Sequence, residues 1–376
     1  MAKARLGLLI LLAAIVLTLA ITGLVYEFRR DAAVLGPQPA AARGNEPVQV
    51  VCIQVHVDLE KYATTETFSS EMERLLLKGL GKVERSMPAL VVYPEDVGAP
   101  LVFVNQASTV SGKTSLQSAI TSSTIRNAPG VIYNCLRYRV GPFRGLALAR
   151  AASIGRAYVE TFSNLAKKHG VYIVAGSVPL PDFPLERATG KVSYRATSGD
   201  VYNVSYFFSP AGTIIGRQKK VHLIELEGPA GLDFSSAKLE EIQVFDTPFG
   251  GIGLAICFDG FHKDVLDRLV SLGASILVQP SANTEPWSGW QQNDWLKGAW
   301  KAAQDYPEIQ YAINPMMTGP LLDLVFEGQS SIVTQVERAL TGLSYPLAKV
   351  KGGFLAVAGN HDGEDVLVTT LRTVQK

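Results

Sequence analysis

Short runs of Val, Ile and Leu alternate with helically patterned segments, and this alternation constrains the chain more than any other feature. "VQVVCIQVHV" at 48–57, "ALVVYPE" at 89–95, "VYIVAGSV" at 171–178 and "ASILVQP" at 274–280 are rich in β-formers and ended by Pro, Gly or charged residues. Continuous apolar runs of this length read as strands buried on both faces. Between them, "SSEMERLLLKGLGKVERS" at 69–86 and the segment 146–169 place apolar residues at helical spacing. Strands of this kind need cover, and intervening helices supply it, so the pattern predicts an α/β domain. "VYNVSYFFS" at 201–209 and "TIIGRQKK" at 213–220, joined by "PAG", read as a hairpin, and "EIQVFDTPFGGIGLAIC" at 241–257 as a second strand pair around a Pro/Gly turn. A helix at 263–272, a helix around 291–304, the strand "IQYAINP" at 309–315 and closing strands near 328–335, 353–358 and 365–372 complete the pattern. No internal repeat and no second linker interrupts it. Residues 48–376 are therefore expected to form one domain.

The N-terminus is different. After a short tail, 1–5, residues 6–26 ("LGLLILLAAIVLTLAITGLVY") contain no charge. At ~1.5 Å per residue a helix of that length spans the ~30 Å hydrocarbon core. The stretch exceeds the apolar core of a cleaved signal peptide, and "PAAARG" at 39–44 lies far downstream of it. An uncleaved single-pass transmembrane anchor is expected, with 27–47 as an Ala/Pro/Gly-rich linker. Both flanks carry two basic residues, so charge leaves orientation open. The long downstream domain favours the extracytoplasmic side.

Overall charge excludes one function class. Lys and Arg number 35 against 34 Asp and Glu, a net charge of +1 with no concentrated basic patch, which argues against nucleic-acid binding. The three cysteines, Cys52, Cys135 and Cys257, show no CxxC spacing, and no two of the five histidines are spaced HxxxH. Neither a metal site nor a cofactor is expected. A Cys52–Cys135 disulfide and separate buried thiols both fit the spacing; separate thiols are favoured.

Three residues stand where strands stop: Glu95 after "VVYP", Lys220 at the end of "GTIIGRQKK" and Cys257 at the end of "GIGLAI". Singly, each has an ordinary explanation, as a solvated loop acid, a surface lysine and a small buried hydrophobe. Together they match one chemistry. A thiol attacks, a carboxylate removes its proton, and an ammonium holds developing negative charge.

The blocks "LVVYPE", "SPAGTIIGRQKKVHL", "FDTPFGGIGLAICFDG" and "LGASILVQPSA" occur in this order, and on them the chain resembles the nitrilase, or carbon–nitrogen hydrolase, superfamily from about 48 to 372. The resemblance implies a four-layer α-β-β-α sandwich, pairing into homodimers through a helical face, and a catalytic Glu95–Lys220–Cys257 site. It further implies that Lys220 and the backbone N–H of Phe258 would form the oxyanion hole. A second glutamate usually lines such a site; "LIELEG" offers Glu225 and Glu227, and spacing favours Glu227. Phe258, where nitrile-cleaving members carry Trp, points to amide chemistry on a small-molecule or acyl amide substrate.

Two departures stand out. "FHKD" follows Gly260 where the family continues differently, and His262 is expected to face solvent at a helix start. Residues 100–145 are longer than this class needs, so a loop-like insertion bordering the pocket is expected there, able to contact a long substrate or a membrane surface or to be inert. "SGKTS" at 111–115 lacks the first glycine of a phosphate loop. The expected function is a membrane-anchored amide hydrolase acting through a cysteine thioester. The alternatives are an N-acyltransferase in which an amine resolves the thioester, as in apolipoprotein N-acyltransferases, and a catalytically inactive binding scaffold. A papain-like Cys–His pair is disfavoured because no histidine occupies a comparable strand end.

Overall fold

The strand Val48–His56 organises the first sheet, because every residue but the last is buried and both of its edges are paired. These contacts come from a computed structural model that describes residues 43–374, except 85, 187–190 and 340. On one edge Val50 lies opposite Leu90 in the parallel strand Ala89–Val92; on the other Val48 lies opposite Leu371 in the antiparallel strand Asp365–Leu371. Beyond Ala89–Val92 come Tyr172–Val174, parallel, and then Tyr202–Phe208, antiparallel. Tyr202–Phe208 also pairs with Ile214–Lys219 in the hairpin expected around "PAG".

The second sheet runs in the order Phe354–Val357, Ser331–Thr334, Tyr311–Asn314, Ile276–Val278, Gly250–Leu254, Val244–Thr247. Its centre is parallel and its margins antiparallel. The two sheets pack face to face, with Val48, Val50, Leu90, Val92 and Phe207 of one against Ile252, Leu254, Val278, Ile313 and Ile332 of the other. The outer face of the first sheet is covered by the helices Thr65–Leu80 and Pro142–His169. That of the second is covered by Lys263–Ser271, Gly289–Trp295 and Ala299–Asp305. This is a four-layer α-β-β-α sandwich.

Helix ends differ from the sequence reading for local reasons. The first long helix starts at Thr65 rather than 69, since Thr64 and Thr67 form a capping box. The longest starts at Pro142 rather than 146, with proline in its first turn and left-handed Gly170 closing it. The helix expected around 291–304 is two helices, separated at Gly298. A hairpin of Met316–Leu321 and Leu324–Phe326 went unread; Gly319 and Pro320 mask its alternation, and Leu322 turns it at φ 60°.

The loop expected across 100–145 is corrected to helix. It contains the short turns Ala99–Phe103 and Ala107–Val110 and the helices Leu116–Arg126 and Ala128–Tyr138. Ser115 caps the third of these and Pro129 enters the fourth at its first turn. All three cysteines are free thiols, so the Cys52–Cys135 pairing is not made. The 6–26 stretch lies outside the described residues. Among those described, no helix is long and apolar enough to cross a membrane.

Candidate active site

Three strand ends deliver Glu95, Lys220 and Cys257 to one place. Glu95 follows Ala89–Val92, whose register is continued when the Tyr93 N–H donates to Val174 O. Lys220 follows Ile214–Lys219, and its N–H donates to Asn203 O. Cys257 follows Gly250–Leu254 in the other sheet. All three are buried, Lys220 to 1 % exposure and Glu95 to 3 %.

Lys220 Nζ donates to Glu95 Oε1 and to Glu227 Oε2, both at 2.7 Å. Glu227 is thus the second glutamate at the site, and Glu225 is exposed. The Ile224 N–H also donates to Glu227 Oε2, at 3.0 Å. The other Glu95 oxygen, Oε2, accepts from the Ala282 N–H at 3.0 Å. Asn203, which sequence reasoning missed, donates through Nδ2 to Glu95 at 3.0 Å and to Glu227 at 2.8 Å. Two carboxylates therefore share one ammonium and one amide. The only signal for Asn203 was a polar residue at an otherwise apolar strand position.

Cys257 adopts φ 48°, a left-handed conformation that costs a non-glycine residue roughly 1 kcal/mol or more. Its surroundings hold it there. The Cys257 N–H donates to Pro280 O at 2.8 Å, and Gln279 Nε2 donates to Cys257 O, also at 2.8 Å. Asn314 Nδ2 in turn donates to Gln279 O and to Ser281 Oγ. The turn aims the thiol at the Glu95 carboxyl, with Sγ 3.6 Å from Ala282 O. Phe258 follows in the short turn Cys257–Phe261 and is 37 % exposed.

Burial sets the electrostatics. It pushes the Glu95 carboxyl above its ordinary value, with Lys220 opposing and Glu227 adding. Burial and then Glu95 push the Cys257 thiol well up, again against Lys220. For Lys220, burial favours the neutral amine, but the neighbouring charges, Glu95 and Glu227 among them, outweigh it and hold the ammonium firmly protonated. The resting site is a neutral thiol beside a strengthened base and a fixed cation.

Asp259, also missed, braces the Lys220 turn by accepting from the N–H groups of Val221 and His222. His262 does not face open solvent as expected. Its ring stacks on His222 at 3.8 Å and meets the Phe258 ring edge-on, which covers Nε2. A largely apolar cavity opens beside Glu95, Lys220 and Glu227, and residues of the 100–145 segment line part of it.

The carbon–nitrogen hydrolase family model matches residues 143–335, a span that contains Lys220, Glu227 and Cys257 but not Glu95. Omega-amidase NIT2-B of Xenopus laevis is 29% identical over 127 residues, covering 33% of this chain and 41% of that protein. Human omega-amidase NIT2 is 28% identical over the same length, with the same coverage. The match thus spans about two fifths of these curated relatives. Among solved structures, the carbon–nitrogen hydrolase from Helicobacter pylori G27 superposes with a TM-score of 0.56 at 19% identity, covering 87% of this chain and 89% of that one. Saccharomyces cerevisiae Nit3, a member of branch 10 of the nitrilase superfamily, gives 0.54 at 19% identity, over 89% and 93%. These structures share the fold.

Proposed function

Because the chain belongs to the carbon–nitrogen hydrolase family, we propose that it hydrolyses a non-peptide amide through a thioester on Cys257. The observation that carries this reading is the convergence of three strand ends from two sheets on one buried carboxylate–ammonium–thiol cluster. Cys257 Sγ attacks the carbonyl carbon while Glu95 takes the thiol proton, a transfer favoured by a base stronger than an exposed carboxylate. The carbonyl oxygen becomes an oxyanion, received by Lys220 Nζ and the Phe258 N–H. Preorganised donors of this kind contribute ~3–4 kcal/mol each.

Collapse breaks the C–N bond, and Glu95 returns the proton to the departing amine. Water, deprotonated by Glu95, then attacks the thioester. The acid leaves and the thiolate regains its proton, so one water is consumed and the enzyme is restored. Glu227 and Asn203 act as positioning residues, because they fix Lys220 and Glu95 without meeting the carbonyl.

The test is to incubate the protein with a simple primary amide and measure intact mass. Wild type is expected to accumulate an acyl adduct, and Cys257→Ala to lose the adduct together with about 10⁴-fold or more of its activity. Equal turnover by the two proteins would rule the thioester out. Adding amines during the same measurement separates hydrolysis from acyl transfer, since an amide product formed at the expense of the acid would favour the transferase. Membrane attachment is inferred from residues 6–26 alone; extraction of the full chain by alkaline carbonate without detergent would overturn it.

A further inference from the structure

We propose that the acyl portion of the substrate is an uncharged, apolar chain, and that the site rejects acyl groups ending in a carboxylate. This rests on the amide-hydrolase reading and specifies its substrate class. The cavity beside the Glu95–Lys220 pair is walled by large apolar side chains from four separate parts of the chain. Phe103, Leu116 and Ile120 come from the helical segment after Glu95, Phe143 from the long helix, Phe234 from the loop after Lys220, and Phe326 from the Met316–Phe326 hairpin. Transfer of each methylene into such surroundings is favourable by ~0.8 kcal/mol.

The polar groups in the same cavity carry the second half of the argument. They are Glu95, Asp96, Lys220, Glu227 and Thr284: three carboxyls, one ammonium and one hydroxyl. No arginine or histidine is among the described lining residues. The single cation is committed, since Lys220 donates to both Glu95 and Glu227 at 2.7 Å and its third N–H is the one the oxyanion takes. A second carboxylate carried in on the substrate would find no free cationic partner among the described lining residues. A buried unpaired charge is strongly disfavoured.

The experiment compares kcat/KM for straight-chain primary amides, acetamide to hexanamide, with that for the monoamide of glutaric acid. It measures binding of the same compounds to Cys257→Ala by calorimetry. Wild type is expected to gain about fourfold in kcat/KM per added methylene and to prefer hexanamide to the glutaric monoamide by about 100-fold or more. If wild type hydrolyses the glutaric monoamide as well as hexanamide, the pocket assignment is overturned and the hydrolase reading stands. If wild type hydrolyses nothing while Cys257→Ala still binds hexanamide in preference, the hydrolase reading falls and the assignment stands.

Discussion

Asn203 shows how much a single uncharged side chain controls here. Its Nδ2 donates to Glu95 and Glu227, while its Oδ1 accepts nothing among the described residues, so it acts as a donor to two carboxylates. Hydrogen bonds to a carboxylate favour its charged form. With Glu95 already raised by burial above 4.5, the acid limb of kcat/KM is expected above that value, because the base works only when deprotonated. Asn203→Leu removes a donor, so Glu95 should hold its proton to still higher pH. The limb should move upward. A pH–rate profile measures this, and a limb that stays in place or moves down would show that Asn203 does not tune the base. At this scale the sequence made Glu95, Lys220 and Cys257 legible because each ends a strand, and Glu227 through its spacing from Lys220. Asn203 was not legible as a site residue, since one polar position within "VYNVSYFFS" does not show which groups it faces. Asp259 braces a turn distant in sequence, and only the folded chain brings the two together.

At the level of elements, the site depends on how tightly strand ends are packed against one another. Gly176 follows the strand Tyr172–Val174 at φ 67°, and a Cβ there would stand 1.9 Å from Pro94 O. Pro94 immediately precedes Glu95, and its carbonyl is backbone that cannot swing aside. Gly176→Ala is therefore expected to cost about 3 kcal/mol or more and to lower activity beyond what the stability loss explains. Denaturant unfolding beside kcat/KM checks it; wild-type values for both would mean that the Pro94–Glu95 backbone yields freely. Central strands were readable because their apolar runs are continuous and bounded. The Met316–Phe326 hairpin was hidden because its turn is formed by Leu322 and Asp323 rather than by glycine or asparagine. Within 100–145 the helix Leu116–Arg126 has only a weak apolar face, whereas the apolar face of Ala128–Tyr138 was concealed by the Pro129–Gly130 pair in its first turn.

For the whole molecule, the decisive fact is that neither sheet holds the site alone. Glu95 and Lys220 come from one and Cys257 from the other, so the inter-sheet core fixes their separation. Leu254 lies in that core at 1 % exposure, three residues before Cys257. Leu254→Ala is expected to cost about 2–5 kcal/mol. Activity and far-ultraviolet dichroism should be lost in one denaturant transition, since the chain runs the first sheet to Lys219, crosses to the second, and returns to the first for Met316–Leu321 and Asp365–Leu371. Two separated transitions would show that the sheets unfold independently.

The pairing of Val48 with Leu371 carries a consequence for biosynthesis. The first strand leaves the ribosome roughly 320 residues ahead of the strand that closes its edge, on the order of tens of seconds at typical elongation rates. Throughout that interval an apolar edge stands open to any passing strand. Nascent chains arrested before residue 365 should therefore be the ones that recruit chaperones, whereas release of the final strand seals the sheet.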